Sequence, residues 1–118
     1  MKAEIREVIG CGILDDECVV IDVTNDFIGY GTVIGDADYS RGDHDLAIVV
    51  ITYPLPPVKF EVGDVISLHS KHGKNYRQEM KNGNAIYHYF WGCDSARWSE
   101  CYHVPKILYD PRSKMINR

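Results

Sequence analysis

The side chains that could bind a metal ion or form a disulfide lie mainly near the end of the chain. Cys93 and Cys101 are eight positions apart, and His103 follows two positions later. These spacings match no standard zinc pattern, so no metal site is predicted. A Cys93–Cys101 disulfide is expected only if the protein is exported. We otherwise expect all four cysteines, including Cys11 and Cys18, to be free thiols.

The densest acidic stretch, residues 36–45, offers oxygen ligands at alternating positions, which calcium prefers. An EF-hand loop would place Gly at its sixth position and Glu at its twelfth. This sequence has Arg41 and Ala47 there. We therefore predict a solvated loop and not a calcium site.

For catalysis, the strongest candidates are Cys93 with His103 and Asp94. A nucleophile needs a base within hydrogen-bond reach and a donor for the developing oxyanion. The sequence contains no nucleophile elbow and no phosphate-binding glycine loop. We therefore predict a protein that is not an enzyme and that uses no cofactor.

A basic stretch spans residues 71–81 and contains one aromatic residue, Tyr76. Cations beside an aromatic ring can hold phosphate groups and stack on a base. The net charge of -4 and the isoelectric point near 5.6 argue against broad affinity for nucleic acid. A solvated loop explains the stretch equally well, so binding of nucleic acid or another anionic ligand is kept as an alternative function.

Aromatic residues are concentrated between positions 87 and 102. Successive strand residues face opposite sides, so Tyr87 and Tyr89 cannot share a face with His88 and Phe90. Either loops cover both faces, or an aromatic patch stays exposed and binds a protein partner. Stacking of a sugar on Trp91 or Trp98 is a weaker alternative. The contact residues predicted from the basic and aromatic segments together are Lys71, Lys74, Tyr76, Arg77, Tyr89, Trp91, Arg97 and Trp98.

Strand signals dominate the elements that must position these residues. Residues 18–24 are β-branched and nearly all apolar and predict a central strand, and residues 46–51 are the most apolar strand candidate in the chain. Residues 53–57 contain three prolines and predict an edge strand or a crossover. Residues 71–84 predict a polar loop, or a short helix over residues 76–80.

No segment has sustained helical periodicity, and turn residues separate the apolar runs at short intervals. The pattern predicts an all-β sandwich or barrel of about eight short strands. With 118 residues, the chain is expected to form one domain over residues 1–118.

The order of features resembles the lamin-tail domain. A proline-flanked segment with a Gly-Asp turn and a strand matches residues 56–68. An aromatic segment followed by a tryptophan matches residues 89–92 and Trp98. The closing apolar strand matches residues 107–110, and residues 20–26 resemble the family's second strand.

This resemblance implies an immunoglobulin-like β-sandwich that acts as a non-catalytic interaction domain, and it implies no particular partner. The sequence departs from the family pattern at Ser99, where the family usually has Asn. It also has Cys101-Tyr102-His103 in place of a Gly-Asp. These departures concern the loops more than the sandwich.

Charge is divided unevenly along the chain. Residues 1–58 hold 3 Lys/Arg against 11 Asp/Glu, a balance of -8, and residues 59–118 hold 10 against 6, a balance of +4. We expect the folded chain to mix these charges on its surface. Residues 1–7 lack the apolar stretch of a secretory signal, which predicts a cytoplasmic protein if Met1 is the true start. No apolar run is long enough for a membrane helix.

Overall fold

The computed structural model describes residues 2–38, 48–98 and 103–109. These residues form ten β-strands and no helix, which confirms the predicted all-β, sandwich-like fold. Two strands have only two residues each, so eight longer strands carry the architecture. Within the described ranges, no helix is long and apolar enough to cross a membrane. The strands are β1 (Ala3–Ile9), β2 (Cys18–Val23), β3 (Phe27–Ile28), β4 (Thr32–Asp38), β5 (Ile48–Pro54), β6 (Lys59–Phe60), β7 (Val65–His69), β8 (Tyr76–Glu79), β9 (Ala85–Phe90) and β10 (His103–Tyr109).

The strands form a five-stranded sheet in the order β1-β2-β7-β9-β8, a three-stranded sheet in the order β10-β4-β5, and the short pair β3-β6. Neighbouring strands are antiparallel except β7 and β9, which run parallel. The chain leaves β7, forms the edge strand β8, and returns as β9 between them. A parallel pair needs such a crossover because no tight turn can join its strands.

The core lies between the two larger sheets and is closed by the short β3-β6 pair. Alternation along β2 and β7 directs Val19, Ile21, Ile66 and Leu68 into the core. Ile34 of β4 and the aromatic pair Phe27–Phe60 complete it, together with other buried residues. This two-layer arrangement buries one apolar face of each sheet.

Two local predictions were wrong. Residues 76–79 form strand β8, which is neither the predicted loop nor the predicted short helix, because the hairpin after them pairs the segment with β9. The predicted loop 36–45 begins as the last part of β4, since residues 36–38 pair with both β5 and β10. The proline-rich segment, residues 53–57, begins within β5, and β5 is an edge strand of its sheet, as the prolines predicted.

Candidate functional site

The candidate site lies on the outer face of the five-stranded sheet, which is the face turned away from the core. Leu68 and Tyr89 point into the core. Their neighbours His69, His88 and Phe90 therefore point outward. The parallel pairing of β7 and β9 places His69 beside Phe90. The sheet thus brings together three ring side chains from two separate segments.

Four rings stack across this face, and we name them the outer ring stack: Tyr76, His88, His69 and Phe90. The Tyr76 and His88 ring centroids lie 4.3 Å apart with planes at 11°. The His88 and His69 centroids are 5.3 Å apart, and those of His69 and Phe90 are 4.7 Å apart. Tyr76 remains 53% exposed. The stack is therefore ordered by its neighbours and still accessible at Tyr76.

A chain of polar atoms runs through the stack. The distance between Nε2 of His88 and Oε1 of Gln78 is 3.0 Å, and that between Nδ1 of His88 and Nε2 of His69 is also 3.0 Å. The carbonyl oxygen of Gln78 accepts, so Nε2 of His88 carries a proton, and in the neutral ring Nδ1 of His88 is the acceptor. Nε2 of His69 then donates to His88, and Nδ1 of His69 is left as an acceptor.

The surroundings keep both histidines neutral near pH 7. Burial lowers the pKa of His69 below 6.5, and the charges of His88 and Lys71 lower it further. Burial also lowers the pKa of His88. With both rings neutral, the chain runs from His69 through His88 to Gln78, and the lowered pKa values agree with this protonation state.

The loop of residues 71–75 is fixed against one end of the stack. A Cβ on Gly73 would lie 2.4 Å from Cδ2 of Phe90, so only glycine allows this close approach. The Phe90 backbone N–H donates to Oδ1 of Asn75 at 3.0 Å. The Gly92 N–H donates to the carbonyl of Lys71 at 3.2 Å. Lys71 and Lys74 are thereby held on a short, anchored loop.

Of the predicted contact residues, Lys71, Lys74 and Tyr76 belong to this surface. Arg77 does not, because it points to the opposite face of β8. Its guanidinium lies 5.8 Å from the Tyr87 ring centroid and pairs with Glu79 at 3.1 Å. The predicted basic loop 71–81 is therefore split between two faces of the sheet.

The remaining predicted contact residues lie in or against the core. Tyr89 is 5% exposed and Trp98 is 2% exposed, so neither ring can contact a partner in this structure. Trp91 is half-buried and packs on Trp98, with centroids 6.1 Å apart. Arg97 lies over the Trp91 ring and pairs with the buried Asp36 at 3.3 Å. The predicted aromatic patch is thus mainly core, and Tyr76, the exposed ring of the outer ring stack, lies on the other face of the sheet.

The sequence reasoning did not identify Gln78, His69 and His88 as a group. The alternation in β9 did predict that His88 and Phe90 point away from Tyr87 and Tyr89. The missing information was that β7 and β9 are neighbours and that residues 76–79 form a strand beside them.

Three of the four cysteines lie in the part of the chain that the structure describes. No three Cys, His, Asp or Glu side chains there form a group that could hold a metal ion. Cys11, Cys18 and Cys93 are free thiols, and Cys11 is exposed. Cys101 and most of the acidic stretch 36–45 lie outside the described residues.

Comparison with known proteins identifies no relative. No family model and no curated protein match the sequence, and no solved structure matches the fold.

Proposed function

We propose that this domain is a non-catalytic protein-binding module that contacts its partner through the outer ring stack and the loop of residues 71–75. The observation that carries the proposal is the stack itself, in which Tyr76 is ordered by His88 at 4.3 Å and still half exposed. The resemblance to the lamin-tail family implies the same class of function, and that resemblance stays a prediction.

Order in the stack lowers the cost of binding. Aromatic side chains at the centre of an interface often supply most of its binding energy, provided they can be desolvated in a fixed position. Packing and the polar chain from Gln78 to His69 restrict these rings before binding. Less conformational entropy is then lost when a partner covers them.

Charge indicates what kind of partner fits. Lys74 is exposed in the anchored loop, and Lys81 is exposed in the turn after β8. Both lie in the basic half of the sequence. We expect a partner that offers an apolar residue to Tyr76 and acidic residues to these lysines, because complementary charge favours encounter and correct orientation.

The experiment is affinity capture followed by measurement with the purified partner. Tyr76→Ala should raise the dissociation constant of the complex about 30-fold or more, as expected for an aromatic side chain at the centre of an interface. Tyr30→Ala is the matched control, because Tyr30 is 50% exposed and does not belong to the stack. A partner bound equally well by wild type and Tyr76→Ala would contradict the proposal.

The second candidate is a single-stranded nucleic acid or another anionic, planar ligand. It is favoured by the near-parallel ring planes, because a base could stack on Tyr76 as Tyr76 stacks on His88. Labelled single-stranded oligonucleotides would test it. Binding that falls steeply with added salt and is lost in Lys74→Glu supports this candidate over the protein partner. Absence of binding at low salt rules it out.

A further inference from the structure

The two larger sheets have four edge strands, and three of them carry features that prevent further strand pairing. β1 has a register shift between Ile5 and Glu7. β5 ends in Pro54 and pairs with β4 through another register shift. β10 contains Pro105. Bulges and prolines are common protections of exposed edges. β8 has neither, and all four of its residues are exposed.

The hairpin after β8 shows which of its backbone groups point outward. The Met80 N–H donates to the carbonyl of Asn84 at 2.8 Å, so Met80 faces β9. Backbone groups alternate along an antiparallel strand, so Gln78 and Tyr76 also face β9. The N–H and C=O groups of Arg77 and Glu79 therefore point away from β9, towards the edge that no other described strand occupies.

The side chains of these same two residues carry opposite charges on one face of the strand. Nη1 of Arg77 lies 3.1 Å from Oε1 of Glu79, and both side chains are largely exposed. A strand with this pattern is complementary to itself when a second copy runs antiparallel beside it, because each Arg77 can then lie opposite a Glu79.

Three registers set the outward backbone groups of the two copies opposite one another and keep the charged side chains on the same face of the sheet. A pairing centred on Gln78 sets Arg77 opposite Glu79 of the second copy, twice by symmetry. A pairing centred on Arg77 sets two arginines against each other, and one centred on Glu79 sets two glutamates against each other. Opposite charges directly across a sheet stabilise pairing and like charges destabilise it. Charge therefore selects the register centred on Gln78.

We propose that two copies of this chain associate through antiparallel pairing of β8 with β8, centred on Gln78. Arg77 and Glu79 of each copy then form two hydrogen-bonded pairs, with four backbone hydrogen bonds and two ion pairs between the copies. The two five-stranded sheets become one continuous sheet. The two-fold axis is perpendicular to the sheet, so both outer ring stacks lie on the same side. This inference does not depend on the proposed function.

The test is the oligomeric state over a range of protein concentrations, measured by sedimentation equilibrium. The wild type should dimerise reversibly, and added salt should weaken the dimer. Arg77→Glu and Glu79→Arg should each raise the dissociation constant about tenfold or more, because each sets like charges opposite one another. The double swap Arg77→Glu/Glu79→Arg should return it to within about threefold of wild type.

Two further variants complete the test. Glu79→Pro removes an outward N–H and leaves the bonds to β9 in place, so it should abolish the dimer. Arg6→Glu is the control, because Arg6 is an exposed ion-pair residue at the opposite edge of the sheet. Thermal unfolding shows that each variant is folded. A wild type that stays monomeric, a dimer insensitive to the single changes, or a swap that does not restore pairing would each overturn the proposal.

Discussion

The hydroxyl of Ser70 donates a hydrogen bond to Oε1 of Glu17 at 2.5 Å, although both side chains are fully buried. The backbone N–H groups of Gly12, Arg97 and Trp98 donate to the same carboxylate at 3.0, 2.6 and 3.1 Å. Glu17 therefore joins the β1–β2 connection, the end of β7 and the segment that holds Trp98. A buried carboxylate is stabilised only when donors satisfy its oxygens, as they do here.

Glu17→Gln should lower the free energy of unfolding by about 2–4 kcal/mol, because the amide NH2 would face groups that are themselves donors. Urea unfolding measures this change. Glu4→Gln is the matched control, since Glu4 is exposed and should change stability by less than about 0.5 kcal/mol. Equal stability of the two variants would show that the Glu17 contacts contribute little.

Stability should fall as the pH is lowered below about 6.5, because of the histidine pair. The pKa values of His69 and His88 are lower in the folded protein than the ordinary 6.5. The unfolded chain then binds more protons than the folded one in the window below 6.5. The stabilising contribution of the two neutral histidines is complete above pH 6.5, and it is lost as the pH falls towards their pKa values in the folded protein.

Urea unfolding at a series of pH values, with NMR titration of the two imidazoles, would check this dependence. In His69→Gln/His88→Gln the loss of stability between pH 6.5 and about 5 should be smaller. Imidazole pKa values at or above 6.5 in the folded protein would disagree with the buried, neutral pair.

The carboxyl group of Asp64 affects stability at a lower pH than the histidines do. Burial raises its pKa, but hydrogen bonds from the Glu61 and Ala85 N–H groups, among others, bring the pKa below 3.8.

Gly73→Ala should destabilise the protein by about 1–3 kcal/mol, because the added methyl group would overlap the Phe90 ring. The same change should weaken any binding through the outer ring stack, since Phe90 stacks on His69. Phe90→Leu in the same chain should recover part of the stability by making room. A double-mutant cycle measured by thermal unfolding tests this coupling, and additive effects would argue against the contact.

Arg97→Met should cost about 3 kcal/mol of stability, because it removes the guanidinium that pairs with the fully buried carboxylate of Asp36. Asp36→Asn combined with Arg97→Met should recover part of that loss. Arg6→Met is the comparison at an exposed ion pair with Asp22, and it should cost no more than about 1 kcal/mol. Chemical denaturation of all three variants provides the measurement.

The strands that could be predicted are those with a strong apolar pattern. β2 appears almost at its predicted bounds, residues 18–24, because its β-branched apolar residues fit a sheet with a buried face. β8 could not be predicted in this way. All four of its residues are exposed, so no apolar period marks it, and it is a strand because β9 supplies its hydrogen bonds.

The aromatic segment shows the same limit at the level of the site. Alternation correctly separated Tyr87 and Tyr89 from His88 and Phe90, but it does not say which face becomes the core. That choice followed from the second sheet, which packs Tyr53 against Tyr89 and Trp91. The more aromatic face was therefore buried, and the face with the two histidines was left outside.

The sequence by itself determined that this protein is all-β and that its apolar strands must share a core, because alternation and turn residues act locally along the chain. The tertiary structure alone decided that β7 and β9 lie side by side, and hence that His69 meets His88. Such contacts join residues far apart in sequence, so they follow from how whole sheets pack and not from any local pattern.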